Sequence, residues 1–239
     1  MRATLTGVLT MSICFVACAD GAEVRDLVAK LKDTDSELRR AAAKELGELG
    51  AEAKLAVPEL TRALRDKDLF VRRFSAEALG NIGVDAKSAI PALAGAMNDP
   101  KKEVAEAAVD ALGKIGPDSI SALTAALKDT NKDPNIRRKA ATSLGKIGLR
   151  ARSAVPAMTD ILNGKVKAGK KKGKGNDDDI RVEVATALGS VAKADDDAAV
   201  EALKSVSEGK QKNRALKKAA GDALRQINGM EPGKKKKKE

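Results

Sequence analysis

The 239-residue chain has no histidine, tryptophan or tyrosine, and its only aromatic residues are Phe15, Phe70 and Phe74. Without imidazole there is no histidine acid or base, no Ser-His or Cys-His nucleophile and no histidine-ligated metal. With so few aromatic rings, stacking recognition of single-stranded nucleic acid is not expected. The two cysteines, Cys14 and Cys18, both fall in the first nineteen residues. No further Cys or His is present to complete a four-ligand metal site around them. Beyond that opening segment no apolar run is long enough to cross a bilayer. No cofactor, metal or small-molecule substrate is therefore expected. What the chain does have is charge and alanine. It carries 45 Lys+Arg against 34 Asp+Glu, a formal net charge of +11. Much of its apolar content is alanine, a strong helix former, and the length is ample for a buried core.

Residues 1–19 read as a secretory signal peptide. Arg2 is followed by a mostly apolar stretch from Ala3 to Val16, and Ala17-Cys18-Ala19 supplies an A-x-A cleavage site. An ordinary first helix is the alternative. A second mode of export is lipid attachment at Cys18, since Phe15-Val16-Ala17 partly resembles a bacterial lipobox with Phe in place of the usual Leu. Cleavage after Ala19 leaves a mature chain without thiols, and so without disulfides. The expected location is periplasmic or extracellular, with a lipid anchor as an option.

The dominant signal is an internal repeat. Leu46-Gly47-Glu48-Leu49-Gly50 recurs as Leu79-Gly80-Asn81-Ile82-Gly83, Leu112-Gly113-Lys114-Ile115-Gly116 and Leu144-Gly145-Lys146-Ile147-Gly148. Weaker copies begin at Leu188 and Leu224, and the leucine steps are 33, 33, 32, 44 and 36 residues. A second anchor keeps the same register upstream: Leu27 and Leu31, Leu60 and Leu64, Leu93 and Met97, Leu123 and Leu127, Met158 and Leu162. Each unit predicts two helices. The first is short, with Pro58, Pro91 or Pro156 near its start, where a missing N–H costs nothing. The second carries one apolar stripe of helical period, such as Leu38, Ala42, Leu46 and Leu49, or Val71, Ser75, Leu79 and Ile82. Small residues within the stripe (Ala42, Ser75, Ala108, Ala140) let neighbouring helices approach closely. The paired glycines weaken the last turn and allow positive φ at its end. One such hairpin cannot bury both faces alone, whereas a stack can.

The run Val71-Arg72-Arg73-Phe74-Ser75-Ala76-Glu77-Ala78-Leu79-Gly80-Asn81-Ile82-Gly83 resembles the second helix of a HEAT repeat of the phycobilisome-lyase-like type. The similarity covers about residues 24 to 228. It implies an all-α fold, a right-handed α-α superhelix of five to six helical hairpins over residues 20–228. Members of that family mostly bind other macromolecules, and a minority are enzymes. Deoxyhypusine hydroxylase, an enzymatic relative, needs His-Glu motifs for its di-iron site, which this chain lacks. Nothing beyond the repeat itself matches the phycobilin lyases.

Two segments break the pattern. Residues 164–179 insert a Gly- and Lys-rich stretch followed by Asp177-Asp178-Asp179 between the two helices of the fifth unit. This predicts a flexible loop, with Asp179 as an N-cap for the helix that follows. Residues 229–239 end in five lysines and a glutamate and predict a disordered tail. The insertion contributes +3 (six Lys, three Asp) and the tail +3 (five Lys, two Glu), so together they hold 6 of the 11 net charges. The helical body is close to balanced.

Basic pairs open most second helices, where they oppose the helix dipole and need compensation. Asp33 lies six residues before Arg39, and Asp66 six before Arg72. The HEAT resemblance implies that such residues form an Asp–Arg ladder running between repeats, with Arg137 and Arg181 at the matching later positions. Arg40, Lys44, Arg73, Glu77, Asp110, Arg138 and Thr142 fall on the opposite, exposed side of the second helices. The resemblance places that side on the concave surface, a candidate protein-docking face, although its mixed charges also suit simple solvation. Lys170, Lys171, Lys172 and Lys174 in the insertion, with Lys234, Lys235, Lys236, Lys237 and Lys238 in the tail, are candidate anion-binding residues. The reading is an exported, monomeric, non-catalytic scaffold that binds a protein partner. The alternative is electrostatic binding of an anionic polymer, membrane surface or nucleic acid through the lysines. A lyase-type enzyme or lyase accessory subunit ranks below both.

Overall fold

The computed structural model describes residues 20–166, 177–209 and 212–229. The signal segment with Cys18, Lys170 to Lys174 of the insertion and Lys234 to Lys238 of the tail lie outside the described residues. Within them the fold is an α-solenoid. Six hairpins follow one another: α1 (Asp20–Lys30) with α2 (Ser36–Leu49), α3 (Val57–Ala63) with α4 (Leu69–Ile82), and α5 (Ile90–Ala96) with α6 (Lys102–Ile115). Then come α7 (Ile120–Lys128) with α8 (Pro134–Ile147), α9 (Val155–Leu162) with α10 (Asp177–Val191), and α11 (Asp197–Glu208) with α12 (Arg214–Ile227). Among the described residues no helix is long and apolar enough to cross a membrane.

Local chemistry sets the helix ends. Asp35, Asp68 and Asp133 cap α2, α4 and α8 by accepting from N–H groups of the first turn. Pro58, Pro91 and Pro156 occupy the second positions of α3, α5 and α9. Gly50, Gly83, Gly116 and Gly148 end their helices at φ of 57°, 75°, 91° and 68°, where a side chain is strained. Short 3-10 segments such as Gly50–Ala56 and Gly83–Ala89 then lead into the next hairpin.

The other glycine of each pair does something the sequence reading missed. A Cβ added at Gly80 meets the Ala111 backbone at 2.8 Å, one at Gly145 meets Ala187 at 3.0 Å, and one at Gly189 meets Ala223 at 2.9 Å. These glycines are the points where one second helix touches the next. Second helices consequently pack flank to flank along the chain, while the first helices spread apart. The row therefore curves with its second helices inside. The core is the continuous aliphatic seam between the two layers, with Leu46, Leu60, Leu79, Leu93, Leu112, Leu123, Leu144 and Leu188 fully buried.

Two details differ from expectation. Leu38, read as part of the buried stripe, is 44% exposed, because among the described residues no repeat packs ahead of the first hairpin. Helix α10 begins at Asp177, so Asp179 sits inside the first turn and is not its cap. Acidic residues there favour the helix through its dipole.

Candidate interaction surface

Each repeat joint is stitched by charge. The Arg39 guanidinium donates two hydrogen bonds, of 2.8 and 2.9 Å, to the Asp66 carboxylate, and others to the carbonyls of Asp33 and Thr34. Arg72 repeats the pattern, reaching Asp99 at 2.7 and 3.1 Å and the Asp66 carbonyl at 2.8 Å. The rung therefore runs forward into the following repeat. Asp33, six residues before Arg39, offers it only a backbone carbonyl, and its carboxylate accepts instead from the Asp35 N–H. Asp99, which lacks an arginine in its own unit, is completed by Arg72 of the unit before.

The later arginines also bond within their own hairpins. Buried Arg137 donates from Nε to the Leu127 carbonyl at 2.9 Å. Arg181 donates twice to the Leu162 carbonyl and pairs with Asp178 at 3.5 Å. Both satisfy carbonyls at the C-terminal end of the first helix of their own hairpin, groups that a helix leaves unpaired.

Electrostatics follow this geometry. Burial pushes the Asp66 carboxyl up, but the Arg39 guanidinium and the Asp68 N–H outweigh it and hold the group below the usual range. Hydrogen bonds from Arg40 hold Asp68 well below it too, against a smaller desolvation effect. Arg39 and Arg40 are raised in return by their bonds to Asp66 and Asp68.

On the inner face the seven predicted surface residues fall into three settings. Arg40 crosses to Asp68 of the next repeat, pairs with Glu37, and stacks over the Phe70 ring with its Cζ 4.9 Å from the centroid. Arg73 lies over Phe74 at 4.7 Å and Phe70 at 5.8 Å and pairs with Glu77 at 3.3 Å. The chain's two aromatic residues outside the first nineteen thus form one cluster with two guanidinium groups, a favourable cation–π arrangement. Phe70 remains 38% exposed. Neither ring was singled out as a site by the sequence reading, although their scarcity was itself the available signal.

Beside this cluster lies a groove of about 690 Å³ running over α4, α6 and α8. Its lining mixes the acids Glu77, Glu103, Glu106 and Asp110 with the bases Arg73, Lys114, Lys139 and Lys146. Lys139 reaches Asp110 across the joint at 2.7 Å. Lys114 donates to the Asn81 side chain, which itself donates to the Gly47 carbonyl. Thr142 donates to Glu183 of the fifth repeat at 2.7 Å, and Arg138 donates to Asn135 at 3.2 Å. Lys44 stays apart, in an exposed pair with Glu48 at 3.5 Å. Arg73, Glu77 and Asp110 are therefore brought together in one groove, Arg40 borders it through Phe70, and Lys44 is separate. Lys114, Lys139 and Lys146 were missed because their positions on the second helix carry a different residue type in most repeats. Among the described residues no group of three or more acidic or cysteine side chains is placed to hold a metal ion.

Comparison with known proteins adds the following. A family model described as HEAT repeats matches residues 24–104 and 90–168. A designed armadillo repeat protein in complex with the peptide (KR)4 is 18% identical, with TM-score 0.58 over 86% of this chain and 100% of its own. Importin beta is 19% identical, with TM-score 0.59 over 84% of this chain and 30% of its own. The complex of CpcE and CpcF of phycocyanin lyase from Nostoc sp. PCC7120 is 23% identical over 95% of this chain and 80% of its own, with TM-score 0.49. No curated protein matches the chain.

Proposed function

The chain belongs to the HEAT-repeat family, and from that premise we propose that it is an exported, non-catalytic scaffold that holds a protein partner against the inner face of its second helices. The observation that carries this reading is the pairing of the Phe70–Phe74–Arg40–Arg73 cluster with the charged groove over α4 to α8. Exposed aromatic and arginine side chains are the usual anchors of protein interfaces. The groove's mixed acidic and basic lining gives register and selectivity more than bulk affinity. Fold-level likeness to peptide-binding armadillo proteins supports a partner of protein class without naming it.

A photo-crosslinking side chain placed at Glu77 or Asp110 in the native host should capture a partner that one at Arg62, on an outer helix, does not. Phe70→Ala with Arg73→Ala should lower that capture at least tenfold, about 1.4 kcal/mol. Equal capture from both sides of the solenoid sinks the proposal. Intact mass of the purified chain settles export, through a start at Asp20 or a lipidated Cys18.

The second reading, an anionic polymer or membrane held by the lysines, is favoured by the 6 of 11 net charges outside the helical body. It requires binding that falls steeply with salt and disappears when residues 165–174 and 229–239 are removed.

A further inference from the structure

The five joints between repeats share one construction, and the two ends of the solenoid carry complementary halves of it. At each interior joint the second helix of one repeat presents a glycine (Gly47, Gly80, Gly113, Gly145, Gly189) to a small residue of the next (Ala78, Ala111, Ser143, Ala187, Ala223). Four residues before that glycine it presents a second residue that the next repeat buries completely, as for Ala43, Ala76 and Ala185. The receiving helix contributes an aliphatic residue at its start (Val71, Val104, Ile136, Ile180, Leu216) that is at most 2% exposed.

On α12 the donating row reads Lys217, Gly221 and Arg225, and nothing lies within 4 Å of where a Gly221 Cβ would be. On the first hairpin the receiving row reads Asp33, Leu38 and Glu45, with Leu38 44% exposed. Asp33 occupies the position at which Asp66 and Asp99 accept the arginine of the preceding repeat, and Lys217 occupies the donating position of Arg39 and Arg72. Arg225 stands where the other helices carry the joint glycine, and Glu45 where they carry its small partner. Both outer positions are thus opposite in charge, and among the described residues the apolar middle is open at each end.

We infer that the acidic N-terminal end of the solenoid docks the basic C-terminal end of a second copy, continuing the repeat register between molecules. The contact is head-to-tail, so each copy keeps one free end and longer chains can grow. It is looser than an interior joint. Gly80 and its equivalents allow backbone contact, whereas Arg225 and Glu45 hold the helices apart and bridge the gap with long side chains. Arg225 must leave Asp222, its 2.6 Å partner within the helix, and Glu45 lies near Lys30. Exposed pairs of this kind are weak and strongly screened. The contact is therefore reversible and salt-sensitive, and it departs from the monomer expected from sequence. It uses the ends and not the inner face, so it stands or falls independently of the proposed partner.

Sedimentation of the full chain across roughly 10 to 500 µM in about 50 mM salt should show a weight-average mass rising past the dimer, and about 500 mM salt should return it to monomer. Glu45→Arg and Arg225→Glu should each weaken association at least tenfold, and mixing the two variants should restore it. Leu38→Asp should weaken it as well, and thermal melts would show whether each variant is folded. A chain that stays monomeric throughout overturns the inference. So does association that ignores both charge reversals, a mixture that fails to recover, or association lost only when residues 230–239 are deleted.

Discussion

The joint between the second and third repeats and the joint between the fifth and sixth share one apolar contact and differ in their polar one. In both, a glycine of one second helix rests on an alanine of the next, Gly80 on Ala111 and Gly189 on Ala223. At the front joint Arg72 spans to Asp99 and locks the two repeats together. At the rear joint Arg181 donates to the Leu162 carbonyl of its own hairpin, and Arg152 crosses to Asp196 instead. Close helix packing is the invariant of this solenoid. The charged cross-link is a local choice and leaves the inner face free to vary.

The largest expected effect tests that asymmetry. Arg72→Ala strands Asp99, whose side chain is 9% exposed, without its guanidinium. Breaking a pair this buried should cost about 3 kcal/mol. Arg181→Ala removes hydrogen bonds to a carbonyl but strands no buried carboxylate, and should cost roughly 1–2 kcal/mol. Urea unfolding followed by hydrogen exchange for each repeat would separate them, because solenoids lose stability repeat by repeat. Equal losses at the two sites remove the distinction between front and rear.

Next come the glycines. Gly80→Ala and Gly145→Ala should each destabilise by about 1–3 kcal/mol, since the new Cβ meets a neighbouring helix. Gly95→Ala, on a first helix with nothing within 4 Å, should stabilise by up to about 1 kcal/mol. If Gly80→Ala is silent while Arg72→Ala is severe, the cross-link and not the packing is the invariant.

Much of this was legible in the sequence. The spacing of Leu-Gly-x-Ile-Gly gave the hairpins, and the second glycine of each pair gave the turn that ends them. Which aspartate each arginine meets was not readable. Arg39 stands six residues after Asp33 and 27 before Asp66, and a 33-residue period makes both spacings recur. Only the forward packing of the helices selects the second. The first glycine looked like a helix weakener because its partner, an alanine 31 residues away in the case of Gly80 and Ala111, carries no signature of its own. The inner groove was half visible: Arg73, Glu77 and Asp110 lie at positions read as exposed, while Lys139 occupies a place held by alanine or phenylalanine in the repeats before it.

A smaller effect is set by pH. Asp66 and Asp68 have depressed folded values against an ordinary 3.8. Their contribution is complete above that value and is lost as pH falls through the depressed ones. Glu59 behaves in the same way: burial raises it, but Arg62 and Lys32 bring it below its ordinary 4.5. In the rear, burial raises Asp196, but the Lys193 N–H and Arg152 together bring it below its ordinary value. Hydrogen exchange between about pH 5 and pH 2 should therefore show protection falling below about pH 4, most at the first joint. Asp66→Asn should flatten that dependence at its own joint. A first joint that loses no more protection in acid than the second argues against a stabilising role for the paired Asp66 and Asp68 carboxylates.

The smallest effect on stability belongs to Lys139, and it separates the groove's architecture from its use. Its pairs with Asp110 and Glu106, at 2.7 and 3.9 Å, join side chains that are each more than a quarter exposed. Exposed pairs contribute less than about 1 kcal/mol, so Lys139→Ala should barely move the melting transition. The substitution nevertheless leaves Glu106 and Asp110 without their lysine and shifts a groove lined by four acids and four bases to a net negative charge. If the groove docks a partner by charge register, crosslinking from Asp110 should change sharply while stability does not. A variant that melts normally and captures its partner normally would make the groove a solvated face, and the Phe70 cluster would then be the part of the inner surface left to explain binding.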